Sequence, residues 1–325
     1  RGVMKKISYF IFFAILVISR YATSSTIGVC VHPEKISGDA SQILSVVKGF
    51  KFQSIRVDYR WSDTEYKKGE YKFQGVTEDL VQLALENNIS PLIILGGSNH
   101  IYGKGRPLDA SIQQAFSEYA GKIAGHYSQT KVIYEIWNEW SLKHNYDDPN
   151  LNFKDAQSAS DYFNLVKVTS QKIRSSTRNA IIVAGGFNPT DVEDLKWGSM
   201  LISMGIMNYV DGISIHPYTS LLPNDSFNRI DYMERLFSSL NHDRKVPVYI
   251  TEYGIPNRPG TKYTQEYNYI LAKQFVRESS KRDYIKGVWW YELVDDGNQI
   301  DNAEQNYGIL EQGLKHKEIS KLFLK

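Results

Sequence analysis

The stretch SIRVDYRWSDTEYKKGEYKFQGVTEDLVQLALENNISPLIILG, residues 54–96, reads as one complete β-α-β unit. Ser54–Tyr59 (SIRVDY) and Pro91–Gly96 (PLIILG) are short β-branched or apolar runs. Between them Thr77–Asn88 (TEDLVQLALENN) repeats its apolar residues at helical spacing. The alternation recurs along the chain. Ile27–His32 (IGVCVH) precedes this unit, and Lys131–Trp137 (KVIYEIW), Ala180–Gly186 (AIIVAGG), Asp211–His216 (DGISIH), Pro247–Glu252 (PVYITE) and Lys286–Tyr291 (KGVWWY) follow it. Helical patterns stand at Ser111–Tyr127, Ser158–Ser175 and Thr264–Arg282, and a final helix is expected over Leu314–Leu324. Strands that alternate with helices build a parallel sheet, and runs apolar throughout are strands buried on both faces. Eight such units close into a single (β/α)8 TIM barrel of the α/β class, expected over residues 26–325, with its functional residues at the C-terminal ends of the strands. A doubly wound sheet would carry a Gly-rich phosphate turn after its first strand, and Val31-His32-Pro33-Glu34 is not one.

Composition agrees with one packed body. The 325 residues are 42% hydrophobic and 23% charged, which excludes disordered, collagen-like and low-complexity classes. Of 38 basic and 36 acidic residues, residues 1–25 hold four basic ones (Arg1, Lys5, Lys6, Arg20) and no acid, so the remainder balances at 34 against 36. A body so balanced has no bulk attraction for nucleic acid or anionic lipid. The basic start Met4-Lys5-Lys6 and the apolar run Ile7–Ser19 have the form of a signal peptide, too short to cross a bilayer comfortably. Residues 1–25 are therefore expected to direct export to the periplasm or beyond and to be removed, with residues 1–3 a remnant ahead of the start. No stable membrane insertion is expected after cleavage. The lone Cys30 forbids an internal disulfide and reads as a buried thiol.

The polar residues that end these strands carry the chemistry. His32 ends the first, and Arg56, Asp58 and Trp61 lie on or just after the second. The fourth ends in Trp137-Asn138-Glu139-Trp140, the sixth in His216-Pro217-Tyr218, the seventh in Thr251-Glu252-Tyr253-Gly254 and the eighth in Trp289-Trp290-Tyr291. Two carboxylates, Glu139 and Glu252, thus stand at the catalytic rim among aromatics, His, Arg and Asn. Glycoside hydrolysis needs one carboxylic acid to protonate the leaving oxygen and one carboxylate across the sugar ring. Flat aromatic faces suit sugar rings, and planar hydrogen-bonding groups suit hydroxyls. The aromatics Trp61, Trp140 and Tyr253 suggest an extended cleft with several subsites.

Ile136-Trp137-Asn138-Glu139 and Ile250-Thr251-Glu252-Tyr253-Gly254 resemble the acid/base and nucleophile motifs of clan A glycoside hydrolases, within the cellulase-like superfamily that contains family 5. Arg56-Val57-Asp58-Tyr59-Arg60-Trp61, with Glu65, Gly69 and Tyr71-Lys72-Phe73 after it, resembles the opening of glycoside hydrolase family 39 and its bacterial exopolysaccharide-hydrolase relatives. So does Trp290-Tyr291-Glu292-Leu293-Val294-Asp295-Asp296-Gly297, running on to Tyr307-Gly308-Ile309-Leu310. The resemblance spans residues 27–325. It implies a retaining two-step mechanism with Glu252 as nucleophile and Glu139 as general acid, then base. It further implies that Tyr218 hydrogen-bonds Glu252, that Asn138 binds the sugar 2-hydroxyl, that His216 and His32 line the site, and that Trp290 stacks beneath the ring. Arg56 is placed to pair with Glu252. Two positions depart from the family pattern: Trp140 stands where Pro usually follows the acid/base Glu, and Tyr66 where Pro follows Glu65.

Other candidates have plainer readings. Glu135 shares a strand face with Glu139 but lies four residues deeper, so it is expected to pair inside the barrel. Asp295 and Asp296 read as loop structure. No spacing of the H-E-x-x-H kind suggests a metal, and no cofactor is implied. The expectation is an exported, endo-acting glycosidase that cleaves internal bonds of a bacterial exopolysaccharide or capsule, with a polysaccharide or oligosaccharide as its partner. An exo-acting β-xylosidase or β-glucosidase and a non-catalytic glycan-binding barrel are the alternatives.

Overall fold

The computed structural model describes residues 25–128, 130–143, 151–257 and 264–324. The segment read as a signal peptide lies outside them, apart from Ser25. Among the described residues ten strands run in chain order: β1 (Thr26–Cys30), β2 (Ser54–Arg60), β3 (Glu65–Lys67), β4 (Glu70–Tyr71), β5 (Ser90–Gly96), β6 (Ile133–Ile136), β7 (Ile181–Phe187), β8 (Gly212–Ile215), β9 (Val248–Tyr253) and β10 (Ile285–Trp290). Eight of them close a parallel barrel in the order β1-β10-β9-β8-β7-β6-β5-β2, and β3 and β4 form a small antiparallel hairpin outside it.

The helices α1 (Ala40–Lys48), α2 (Trp61–Thr64), α3 (Val76–Glu86), α4 (Ala110–His126), α5 (Ala156–Ser176), α6 (Val192–Ser203), α7 (Pro223–Leu240) and α8 (Gln265–Ser279) fall between the strands. Local chemistry sets where they begin. Asp39, Asp155, Asp191 and Thr264 each accept a backbone N–H of the first turn, and Pro223 opens α7 with the fixed φ a first turn needs. The helix expected over Leu314–Leu324 shrinks to one 3-10 helix, Glu318–Leu322. Leu314 adopts a left-handed φ of 66°, and bridges from Leu310 to Val294 and His316 spend that backbone on pairing instead.

Two apolar cores follow from strand alternation. Between barrel and helices lies the large one, with Ile55, Val57, Ile93, Leu95, Tyr134, Ile136, Ile250 and Trp290. Inside the barrel lies a small one: Cys30, Leu92, Ile94, Ile133, Val183, Tyr249 and Trp289. Trp289 is its largest member, and its indole N–H donates to Ser54 Oγ at 2.9 Å. The ring fits because two neighbouring strands carry glycine there. A Cβ at Gly28 would stand 2.3 Å from the indole, and one at Gly287 would stand 2.6 Å away. Trp289 thereby plugs the barrel interior and leaves the polar layer at the C-terminal end as the floor of a cleft.

Gly28→Ala should therefore overpack the barrel and cost about 1–3 kcal/mol of stability. A thermal or urea melt of the variant checks this. An unchanged midpoint would contradict the placement of Trp289.

Candidate active site

Site residues come from the inner face of the barrel, with two departures from regular strand geometry. On β2 the inner face holds Ser54, Arg56 and Asp58; on β6 it holds Ile133 and Glu135. On β9, simple alternation would turn Thr251 inward and Glu252 outward. Instead the pairing steps from Val288↔Ile250 to Trp290↔Tyr253, so one extra residue sits on β9. This bulge lets Thr251 and Glu252 both face the barrel interior. A second bulge, where β7 pairs with β8 between Gly185 and Phe187, makes room for Glu139. Gly186 has φ 63° there, and a Cβ on it would stand 2.9 Å from the Glu139 amide nitrogen. Past β6 the chain turns through left-handed conformations at Trp137 (φ 63°) and Glu139 (φ 50°). Such conformations are costly for residues with side chains and concentrate at functional sites.

Arg56 ties the site together. It is 2% exposed, and each guanidinium nitrogen has an acceptor: Nε donates to Glu135 Oε2 at 2.8 Å, Nη1 to Glu252 Oε1 at 2.6 Å and Nη2 to Asn138 Oδ1 at 2.8 Å. The other oxygen of Glu252 accepts the Tyr218 hydroxyl at 3.0 Å. Burial and the neighbouring Glu252 push the Tyr218 phenol well above its usual range, so it stays a donor.

From Glu135 a second chain leads to Glu139. Thr251 Oγ1 donates to Glu135 Oε1 at 2.8 Å. Its single hydrogen is then spent, so it accepts from His216 Nε2, 3.0 Å away. His216 Nδ1 lies 3.0 Å from Glu139 Oε1. With Nε2 carrying a proton, this last contact holds one proton shared between imidazole and carboxyl. Burial opposes charge on His216, but Glu252 and Glu139 outweigh it and raise its pKa. An oxygen of Glu139 lies within 4.8 Å of one of Glu252. Their side chains differ in access to water: Glu139 is 23% exposed and Glu252 9%.

Of the residues singled out in the sequence, His32, Arg56, Asn138, Glu139, Tyr218 and Glu252 line one cleft, and His216 stands directly behind the two carboxylates. Four aromatics expected at the rim are core instead. Trp61 opens α2, donates to Glu65 at 2.6 Å and stacks on Tyr102. Trp140, turned away from the cleft after Glu139 and toward α5, donates to Ser158 Oγ and packs on Tyr162 and Arg106. Tyr253 follows the β9 bulge and so faces α8, stacked on Phe275. Trp290, next to the inward Trp289, faces outward onto Tyr253 and Phe323. The aromatics that do line the cleft are Tyr291 and Tyr307 with Tyr218, and Asp58 and Glu304 stand there too. Tyr291 sits in the quoted sequence strings, but only the depth at which β10 ends identifies it as the cleft residue. Glu135, read as an interior pair, is found bonded to Arg56 and Thr251.

Two neighbouring hollows share wall residues with the cleft. Asp58 is shared with a hollow lined by Glu34, Arg60, Asp63, Lys72 and Glu78, and Tyr218 and Tyr307 are shared with one lined by Leu222, Tyr253 and Tyr267. Among the described residues, two sets of side chains bring possible metal-ligand atoms within 4.8 Å of one another: Glu139, His216 and Glu252, and His32, Glu292 and Asp296. At both a protein cation is already in contact, Arg56 on Glu252 and Lys35 on Asp296. Among the described residues no helix is long and apolar enough to cross a membrane.

Residues 19–291 match the family Cellulase (glycosyl hydrolase family 5). No curated protein matches the chain. Among solved structures, a family 39 glycoside hydrolase from the gut symbiont Bacteroides cellulosilyticus WH2 is 21% identical, with 91% of this chain and 61% of that chain covered and a TM-score of 0.72. GH5_18 from Streptomyces cattleya in complex with GlcNAc is 15% identical over 92% of this chain and 78% of that one, with a TM-score of 0.71. Xylanase 10B from Thermotoga maritima is 14% identical over 93% and 94%, with a TM-score of 0.69. The chain thus spans about three fifths of the length of the Bacteroides structure, and at these identities the likeness is one of fold. The family matched over most of the chain is family 5, whereas the motif strings resembled family 39. The chain belongs to the cellulase family, glycosyl hydrolase family 5, of clan A, and folds as a TIM barrel.

Proposed function

We propose that the chain is a retaining glycosidase that cleaves internal β-glycosidic bonds of a polysaccharide, with Glu252 as nucleophile and Glu139 as acid and then base. The observation that carries this is the approach of the two carboxylates, with an oxygen of each within 4.8 Å. A retaining pair stands about 5–5.5 Å apart, whereas an inverting pair needs about 6.5–9.5 Å to admit a water between acid and ring.

In the first step Glu252 attacks the anomeric carbon while the bond to the leaving oxygen breaks. Glu139 gives that oxygen the proton it shares with His216. Arg56 and Tyr218 each hold one oxygen of Glu252, which fixes the carboxylate for in-line approach. In the second step Glu139 takes a proton from water, whose oxygen displaces Glu252 from the sugar. Glu139 is the more exposed carboxylate, as a residue that must meet water requires. Asn138 spends its carbonyl on Arg56 and keeps its NH2 as the donor for a sugar hydroxyl. The aromatic face beside the ring is Tyr291, in place of the core residue Trp290.

Two hollows that share wall residues with the catalytic cleft support binding of several sugar units, and hence cleavage within a chain. They supply the subsites that the buried Trp61 and Trp140 do not. The strand-two and tail strings that resemble family 39 and its exopolysaccharide-hydrolase relatives support a bacterial exopolysaccharide or capsule as substrate. The basic start and apolar run of residues 4–19 support action outside the cytoplasm.

Glu139→Ala should be rescued by azide on an aryl β-glycoside, giving a β-glycosyl azide. An activated aryl group leaves without a proton, and azide attacks the glycosyl-enzyme without a base, so two inversions restore the β configuration. Chiral or NMR analysis of the product reads this directly, and an α-azide would mean inversion and overturn the role of Glu252. On a long β-linked polysaccharide, early products should be oligosaccharides of mixed length by mass spectrometry. Release of monosaccharide alone would contradict internal cleavage.

A further inference from the structure

One partly buried cluster beside the cleft takes no part in the chemistry above. His32 follows β1 and lines the cleft next to Tyr291, whose ring meets it edge-on at 5.6 Å. Its Nδ1 lies 3.0 Å from Glu292 Oε2 and 3.2 Å from Asp296 Oδ1. Both acids belong to the segment that follows β10. The second oxygen of Asp296 meets Lys35 Nζ, whereas Glu292, 1% exposed, keeps Oε1 without any hydrogen-bond partner. A buried carboxylate oxygen left unmatched costs free energy and needs a reason.

The ring's two nitrogens are thereby given different tasks. Facing two acceptor oxygens, Nδ1 donates. Nε2, on the opposite edge of the ring, has no hydrogen-bond partner among the described residues. We propose that Glu292 and Asp296 are positioning residues: they commit one N–H of His32 and turn the other, as a charged donor, toward a hydroxyl oxygen of the sugar bound between Glu139 and Glu252. The inference rests on the proposed function for its ligand, but not for its geometry. Asp58 and Glu304 also line the cleft, so an uncharged hydroxyl suits this wall better than a carboxylate or sulfate group.

The protonation states agree. Burial pulls the His32 pKa down, but the bonds to Asp296 and Glu292 raise it to about 10. Burial pushes Glu292 up to about 7 against the pull of His32. Asp296 resists the same effect of burial through its bonds to His32 and Lys35 and falls to about 2. Other groups face the cluster: Asp58 from β2 adds to the charge on His32, Tyr291 adjoins the ring, and Cys30 and Lys317 face Glu292. A folded-state pKa of about 10, above the ordinary 6.5, keeps the imidazolium charged through neutral pH, and its charge is lost only as pH rises through that value. Removing one clamp carboxylate lowers the value and brings the loss into the working range.

The test follows the imidazole 15N shifts of the full chain between pH 5 and 9. His32 should remain doubly protonated throughout in the unaltered protein and should titrate within this range in Glu292→Gln and in Asp296→Asn. In Glu292→Gln, KM for an aryl glycoside should rise about tenfold at pH 8.5 and less than threefold at pH 5.5, since a charged hydrogen bond is lost only where His32 is neutral. A His32 that titrates near its ordinary value in the unaltered protein overturns the proposal whatever the substrate. A KM raised equally at every pH overturns it too, because that is what mere loss of packing would give. A charged, clamped His32 in a chain without hydrolytic activity would instead count against the proposed function and leave the clamp standing.

Discussion

A guanidinium inside a barrel is the constraint around which this site is arranged. Removing Arg56 from water costs several kcal/mol unless its charge and its donors are all met. Here Glu135, Glu252 and Asn138 meet all three nitrogens. Each of those partners is then fixed for a second purpose. Glu135 anchors Thr251, Thr251 orients His216, and His216 holds a proton against Glu139. Neither carboxylate of the pair is placed by its own strand alone. Both are placed by a hydrogen-bonded circuit closed through one arginine, so that geometry and charge are set together.

The barrel supplies this circuit by breaking its own regularity in a few places. The extra residue on β9 brings Thr251 and Glu252 to one face, and Gly186 clears space for the turn at Glu139. Beneath this layer Trp289 fills the interior between Gly28 and Gly287, which keeps the polar residues near the mouth. The dry plug and the charged layer depend on each other. Without the plug water would reach the Arg56 network from below and weaken it through its higher dielectric.

Much of this was legible in the chain. The eight apolar runs fall on the eight barrel strands within a few residues, because strands buried on both faces need them. The strings around Asn138-Glu139 and Thr251-Glu252 point to two carboxylates at one rim, and these do meet. Which side chain faces the cleft was less legible, since a period of two fails wherever a bulge or a left-handed turn intervenes. Tyr253 and Trp140 were misplaced for that reason. Trp290 was misplaced because its inward neighbour Trp289 already fills the interior, leaving the cleft to Tyr291. Glu292 lies in the tail string that carries the resemblance, but its role was not legible, because it depends on meeting His32 from the far end of the sequence. The last helix was lost to backbone pairing at Leu310, a contact that no local periodicity reveals.

The central claim is that Glu252, held by Arg56 and Tyr218, forms a covalent bond to the sugar. Its most direct measurement is covalent trapping with an activated 2-deoxy-2-fluoro glycoside of a sugar the enzyme turns over, followed by peptide mass mapping. Fluorine at C2 slows both steps while the good leaving group keeps the first one feasible, so the intermediate accumulates. The account predicts stoichiometric inactivation with the label on Glu252. A label on Glu135 or Glu139, or an active enzyme that yields inverted product and no labelled peptide, would contradict it.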